Sequence, residues 1–97
     1  MNYVVLVIEL EFYLPYAHSL KEKRGQRLRL TERLRQQYKL SIAEVGSQEE
    51  WQRLELALAY VAIREHTALE MREKIHESVL GLLEDGAELL RFESEIV

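Results

Sequence analysis

An α+β domain of four strands and two helices, in the order β-α-β-β-α-β, is what this 97-residue sequence predicts. Three observations carry the prediction. The N-terminal stretch has period two with an unbroken apolar even side and β-branched and aromatic enrichment, two long segments repeat their apolar residues at three-to-four spacing, and Pro15, Gly46 and Asp85-Gly86 punctuate the joins.

From Tyr3 to Leu14 the even positions (Val4, Leu6, Ile8, Leu10, Phe12, Leu14) are all apolar, while Glu9 and Glu11 stand among the odd ones. That is a strand with its even side on the core. Pro15, the only proline, ends it because it has no amide to give a ladder. Ser19-Leu20-Lys21-Glu22 is a capping box: the serine oxygen accepts from the amide three residues on and the glutamate reaches back. The first helix behind it has an expected buried stripe of Leu20, Thr31, Leu34 and Tyr38, with Leu28 and Leu30 on the shoulders. Arg27 falls inside that stripe and must snorkel outward or find a partner. Gly25 weakens the helix by about 1 kcal/mol relative to alanine.

Leu40 to Val45 reads as a short second strand broken by Gly46. Ser47-Gln48-Glu49-Glu50 repeats the capping-box pattern and predicts one helical turn ending near Trp51. Alternation returns from Arg53 to Arg64, with Leu54, Leu56, Leu58 and Tyr60 on one side. Glu55, Ala57, Ala59, Val61 and Ile63 lie on the other. Propensity alone also suits a helix here, but bulk on one side against small residues on the other favours a long third strand. Thr67-Ala68-Leu69-Glu70 is a further capping box, followed by a helical stripe of Ala68, Met71, Ile75, Val79 and Leu82 that Asp85-Gly86 closes. Glu88 to Val97 is the last strand, with Leu90, Phe92 and Ile96 on one side and Arg91, Glu93 and Glu95 on the other.

Two right-handed split βαβ units place the first and third strands at the centre of a four-stranded antiparallel sheet, both helices on one face. This is the ferredoxin-like sandwich. Its expected core includes Leu6, Ile8, Leu10, Leu34, Ile42, Leu56, Leu58, Ile75, Val79, Leu82 and Phe92.

Residues 1–97 are enough for one domain with a core of its own. Cysteine is absent, which excludes disulfides, thiol catalysis and thiolate zinc sites. The apolar run YVVLVIEL lacks a basic lead-in and is too short to span a bilayer, so a cytoplasmic protein without a membrane partner is expected. His18, His66 and His76 match no metal spacing, Glu73-Lys74-Ile75-His76 is a lone ExxH, and no metal or other cofactor is expected. Glu9 and Glu11 share a strand face where solubility or pairing with Arg91 is their expected role. With no P-loop, dinucleotide turn or nucleophile elbow, nothing argues for an enzyme.

Charge supplies the functional lead. The stretch His18 to Lys39 holds eight of the 13 Lys and Arg residues and two of the 17 acids, a balance of +6 that leaves −10 for the rest. A protein acidic overall has put its positive charge on one element, the usual footprint of a polyanion-binding face. The plainer reading is a solvated surface helix. Lys21, Arg29, Arg33 and Lys39 point away from the stripe, Arg24 and Arg35 sit at its edge, and His18, Lys21, Lys23 and Arg24 surround the helix N-terminus, where a phosphate would meet free amides. Glu22 occupies part of that space. The candidate nucleic-acid-binding set is therefore His18, Lys21, Lys23, Arg24, Arg29, Arg33 and Lys39, with ribosomal RNA or a ribosome-assembly particle as the expected partner.

A second candidate is the sheet face without helices, which would present Val5, Val7, Ala57, Ala59, Val61 and Ile63. RNA-recognition domains of this topology carry stacking aromatics there, and the KGFGFVxF-like run is missing. A small apolar face without rings suits packing on another protein, and a homo-oligomer is expected on that ground.

AHSLKEKR (17–24), RLR (33–35), SIAEVG (41–46) and Trp51 together resemble the YlxP-like family of small bacterial proteins of undetermined function. The resemblance runs from about Tyr3 to the C-terminus. It implies a ferredoxin-like fold and, because relatives' genes lie near those for ribosome-binding factor A and a translation initiation factor, a role close to the ribosome. Relatives are more apolar at 26–27, where Gln26 and Arg27 stand here and add a cation. The family brings no catalytic residues.

Overall fold

The computed structural model describes all 97 residues. Six elements follow the predicted order: β1 (Val4–Tyr13), α1 (Leu20–Gln37), β2 (Ser41–Gly46), β3 (Arg53–Ala62), α2 (Glu65–Leu82) and β4 (Glu88–Ile96). They form one antiparallel sheet in the order β2-β3-β1-β4, so β1 and β3 are central as expected, with the two helices on one face. This is the ferredoxin-like α+β arrangement.

Strand periodicity sets the core. On β1 the side chains of Leu6, Ile8, Leu10 and Phe12 are fully buried, and opposite them on β3 lie Tyr60, Leu58, Leu56 and Leu54. Leu34 of α1 and Ile75 and Val79 of α2 close over this layer. Leu82 and Phe92, both expected inside, pack on the core while remaining half-buried. The Tyr38 hydroxyl ties the helices together, donating to the Lys74 carbonyl at 3.2 Å and bonding the Ser78 hydroxyl.

Two strand irregularities correct the expected patterns. Between β1 and β4, Glu11 faces Arg91 but Phe12 faces Leu89, so Leu90 is the extra residue of a bulge. Leu90 is consequently half exposed, and Leu89 takes its place over the core. Between β2 and β3, Glu44 faces Leu56 and Gly46 faces Glu55, leaving Val45 unopposed and 56% exposed. Gly46 thus belongs to the strand it was expected to break. A Cβ there would collide with the Glu55 carboxylate.

Of three predicted capping boxes, one forms. Ser19 Oγ accepts from the Glu22 amide at 3.0 Å, and Glu22 Oε2 accepts from the amide of His18 at 2.6 Å, one residue before the cap. Ser47 instead adopts a φ of 52° and starts a turn, in which its carbonyl accepts from the Glu50 amide at 3.0 Å. The turn prevails because Ser47 Oγ donates to Glu55 Oε2 at 2.8 Å across the hairpin, which removes it as a cap. Helix α2 begins at Glu65, two residues before Thr67, capped by Arg64 without a side-chain bond. It ends at Leu82, and Asp85 and Gly86, with φ of 55° and 73°, shape the turn into β4.

Candidate nucleic-acid interface on the first helix

The buried side of α1 is Lys23, Leu30, Thr31 and Leu34, whereas Leu20 and Leu28, placed by sequence in or beside the stripe, are exposed. The reason lies on β2. Ile42 and Glu44 alternate onto the helix-facing side of that edge strand, and Glu44 needs cations above it. Lys23, one of the expected phosphate ligands, is 3% exposed; its Nζ lies 2.9 Å from Glu44 Oε2 and donates to the Ser47 carbonyl at 2.6 Å. Arg27 resolves as half-buried, its guanidinium 3.4 Å from Glu44 Oε1. Lys23 is therefore removed from the ligand set: it anchors the helix to the β2–β3 hairpin.

The helix N-terminus is corrected as well. Ser19 Oγ takes the Glu22 amide and the Glu22 carboxylate takes that of His18, which places the carboxylate where a phosphate would bind. His18 is exposed, yet its backbone amide belongs to Glu22. No built phosphate cradle forms there.

What remains is an exposed set of cations. Lys21, Arg24, Arg33 and Lys39 are exposed and have no acid partner within 4.0 Å. Arg29 reaches Glu84 at 4.0 Å and Asp85 at 3.9 Å, contacts between well-exposed groups that contribute little. Arg35, at the stripe's edge, donates to the Ile42 carbonyl at 2.8 Å and occupies part of the open edge of β2. The 100° step of a helix puts Arg24 on the same flank as Arg35, and Arg29 with Arg33 on the other. That second flank overlooks a cleft between α1 and the α2–β4 turn, lined by Gln26, Arg29, Arg33, Glu84 and Asp85 over an apolar base.

The open sheet face is divided. At one corner Val5 faces Val61 and bonds Val97 through backbone pairs of 2.8 and 2.9 Å, and Val61, Ile63 and Val97 are well exposed. Val7, Ala57 and Ala59 continue this patch as half-buried residues, while Ile63 lies just past the end of β3. Across the other half, Arg91 meets Glu9 at 3.1 Å, Glu93 at 3.3 Å, Glu11 at 3.6 Å and Glu55 at 3.7 Å, and Arg53 holds Glu11 at 2.6 Å. The hydrogen bond that Arg91 donates to Glu9 raises the Arg91 pKa, against the desolvation that lowers it, and the Glu93 charge adds to the rise. The expected pairing of Glu9 and Glu11 with Arg91 is thus observed.

No group of three or more His, Asp or Glu side chains is placed to hold a metal ion, and no helix is long and apolar enough to cross a membrane. His76 packs its ring on Phe92, with centroids 4.5 Å apart, and His66 pairs with Glu70 one turn on.

The model of a family described as "Protein of unknown function (DUF503)" matches residues 5–94, and the chain belongs to that family. It is 33% identical over 75 residues to "Uncharacterized protein YlxP" of Bacillus subtilis (strain 168), covering 77% of each chain. Among solved structures, a C-terminal segment of the alpha subunit of aIF2 from Pyrococcus abyssi matches 96% of this chain with a TM-score of 0.55 and 22% identity. The chain spans 52% of that structure, and at this identity the likeness is one of fold.

Proposed function

We propose that this protein binds RNA through the exposed cations of α1 and Lys39 just beyond it, with ribosomal RNA or a ribosome-assembly particle as the ligand. One observation supports the reading above others: Lys21, Arg24, Arg29, Arg33 and Lys39 stay exposed in a chain whose net charge is −4. Among the cations of α1, carboxylates hold only Lys23 and Arg27 within 3.4 Å, and the sheet face that carries Glu9, Glu11, Glu55 and Glu93 lies on the side away from the helices, clear of a polyanion. A helix of 18 residues is about 27 Å long and can follow successive phosphates. Without stacking rings on the sheet, phosphate and sugar contacts dominate, which favours shape over sequence.

If about four phosphates are neutralised, the log–log dependence of affinity on salt has a slope of roughly −3 to −4. Arg29→Gln with Arg33→Gln should reduce that slope by about 1.5–2 while leaving the fold intact. Co-sedimentation with ribosomal particles at two salt concentrations tests this. No association at low salt, or full association of the double variant, would refute it.

A second reading is favoured by the apolar corner of the open sheet face: a protein-interaction module in which two copies pair through Val5, Val61 and their neighbours, with no nucleic-acid ligand.

A further inference from the structure

We infer that the cleft between α1 and the α2–β4 turn takes a single unstacked nucleobase bearing an exocyclic amino group, with Arg29 and Arg33 on its flanking phosphates. The inference rests on the RNA-binding reading and gives that surface a base-selective subsite. The cleft is shallow, about 50 Å³ in volume, so a ring lies across its open mouth rather than inside it. Leu82 and Leu83 of the α2 end and Ala87 before β4, half-buried over the shielded Leu14 and Leu54, leave apolar surface that a ring can cover with loss of water.

Three kinds of group meet at this mouth, and a nucleotide matches each. Arg29 and Arg33 stand one helical turn apart, roughly 6 Å, which suits adjacent phosphates. Glu84 and Asp85 on the facing turn are acceptors only, so they select a base edge that donates, as an exocyclic amino group does. Their contacts with Arg29, at 4.0 and 3.9 Å, are loose enough to yield to a phosphate. An aliphatic side chain from a protein partner would fill the apolar base but leave both carboxylates unmatched. Apolar walls around an extruded base are an established means of holding one, so the lack of aromatic platforms on the sheet is no obstacle.

The test uses three labelled hairpin RNAs: fully paired, with one bulged cytidine, and with one bulged uridine. The wild type should bind the bulged cytidine several-fold tighter than the paired hairpin, since an aliphatic floor shelters the ring without stacking on it. It should bind the bulged uridine several-fold more weakly than the cytidine. Ala87→Met, which fills the cleft from its wall, should bring all three to the affinity of the paired hairpin. Glu84→Ala, an exposed change with no bearing on folding, should keep the preference for a bulge and erase that for cytidine over uridine. Equal wild-type affinity for all three RNAs would overturn the base site alone and leave the cleft to an apolar protein side chain. Failure to bind any of them would overturn the RNA-binding reading with it.

Discussion

Replacing Lys23 by methionine keeps the bulk of the side chain and removes an ammonium that nothing else on α1 can supply. Lys23 is 3% exposed and the Glu44 side chain 15%, so the pair sits largely out of water. Without Lys23 the Ser47 carbonyl loses a donor at 2.6 Å, and Glu44 keeps only Arg27 at 3.4 Å. Breaking a buried pair from one side costs about 3–5 kcal/mol, and the remaining arginine puts this case near 3. In a domain of this size, whose total stability is about 5–15 kcal/mol, that is a large share and lowers Tm by roughly 12–24 °C. Lys23→Met combined with Glu44→Met should recover most of the loss and fall within about 1 kcal/mol of wild type, because both charges are gone and Arg27 can turn to solvent. Urea titrations read this directly, provided the m-value is unchanged. A single variant that loses less than about 1 kcal/mol, or a double variant that loses more than the single, would refute the assignment of Lys23 as an anchor.

Gly46→Ala should stay within about 1 kcal/mol of wild type, since the Glu55 carboxylate can swing off Ser47 and the alanine's smaller loss of backbone freedom offsets that bond; denaturant titration checks it, and a loss above about 2 kcal/mol would refute it. Val61→Glu, on the apolar corner where the side chain is 65% exposed, should leave stability within about 0.5 kcal/mol and abolish any dimer seen by light scattering. A wild type that stays monomeric at high concentration would refute the second reading.

The fold was legible because its signals were local and repeated. Period two on β1 continued for ten residues, and each inward leucine of β3 found its partner in register. The errors fall where one residue decides. Leu90 and Leu89 are both leucines, so the bulge that exchanges them leaves no mark in the pattern. Ser47 and Thr67 offer capping boxes as good as that of Ser19, but the hairpin claims the Ser47 hydroxyl, and Thr67 lies inside a helix already begun at Glu65. The role of Lys23 is hidden for another reason: the buried stripe of α1 carries an ion pair among its apolar residues, and hydropathy marks only the latter. A signal was available, since Glu44 stands two residues after Ile42 on the same strand face, and Lys23 and Arg27 are four apart on the helix.

That ion pair also bears on what the other cations can do. Eight positive charges on one stretch read as a single patch in sequence, but the fold divides them. Lys23 and Arg27 look inward to Glu44, and Arg35 is turned to the β2 edge. Holding the helix by Lys23 and Arg27 fixes its rotation about its own axis, and the rotation decides that Arg29 and Arg33 overlook the cleft. Anchoring and binding should therefore separate experimentally. Lys23→Met should weaken the fold yet, at temperatures where the variant remains folded, preserve the salt slope of RNA binding; Arg33→Gln should lower that slope and leave unfolding unchanged, because Arg33 has no acid partner to lose. Should Lys23→Met flatten the slope in the folded protein, the lysine would be a phosphate ligand after all, and the helix would have to turn to release it.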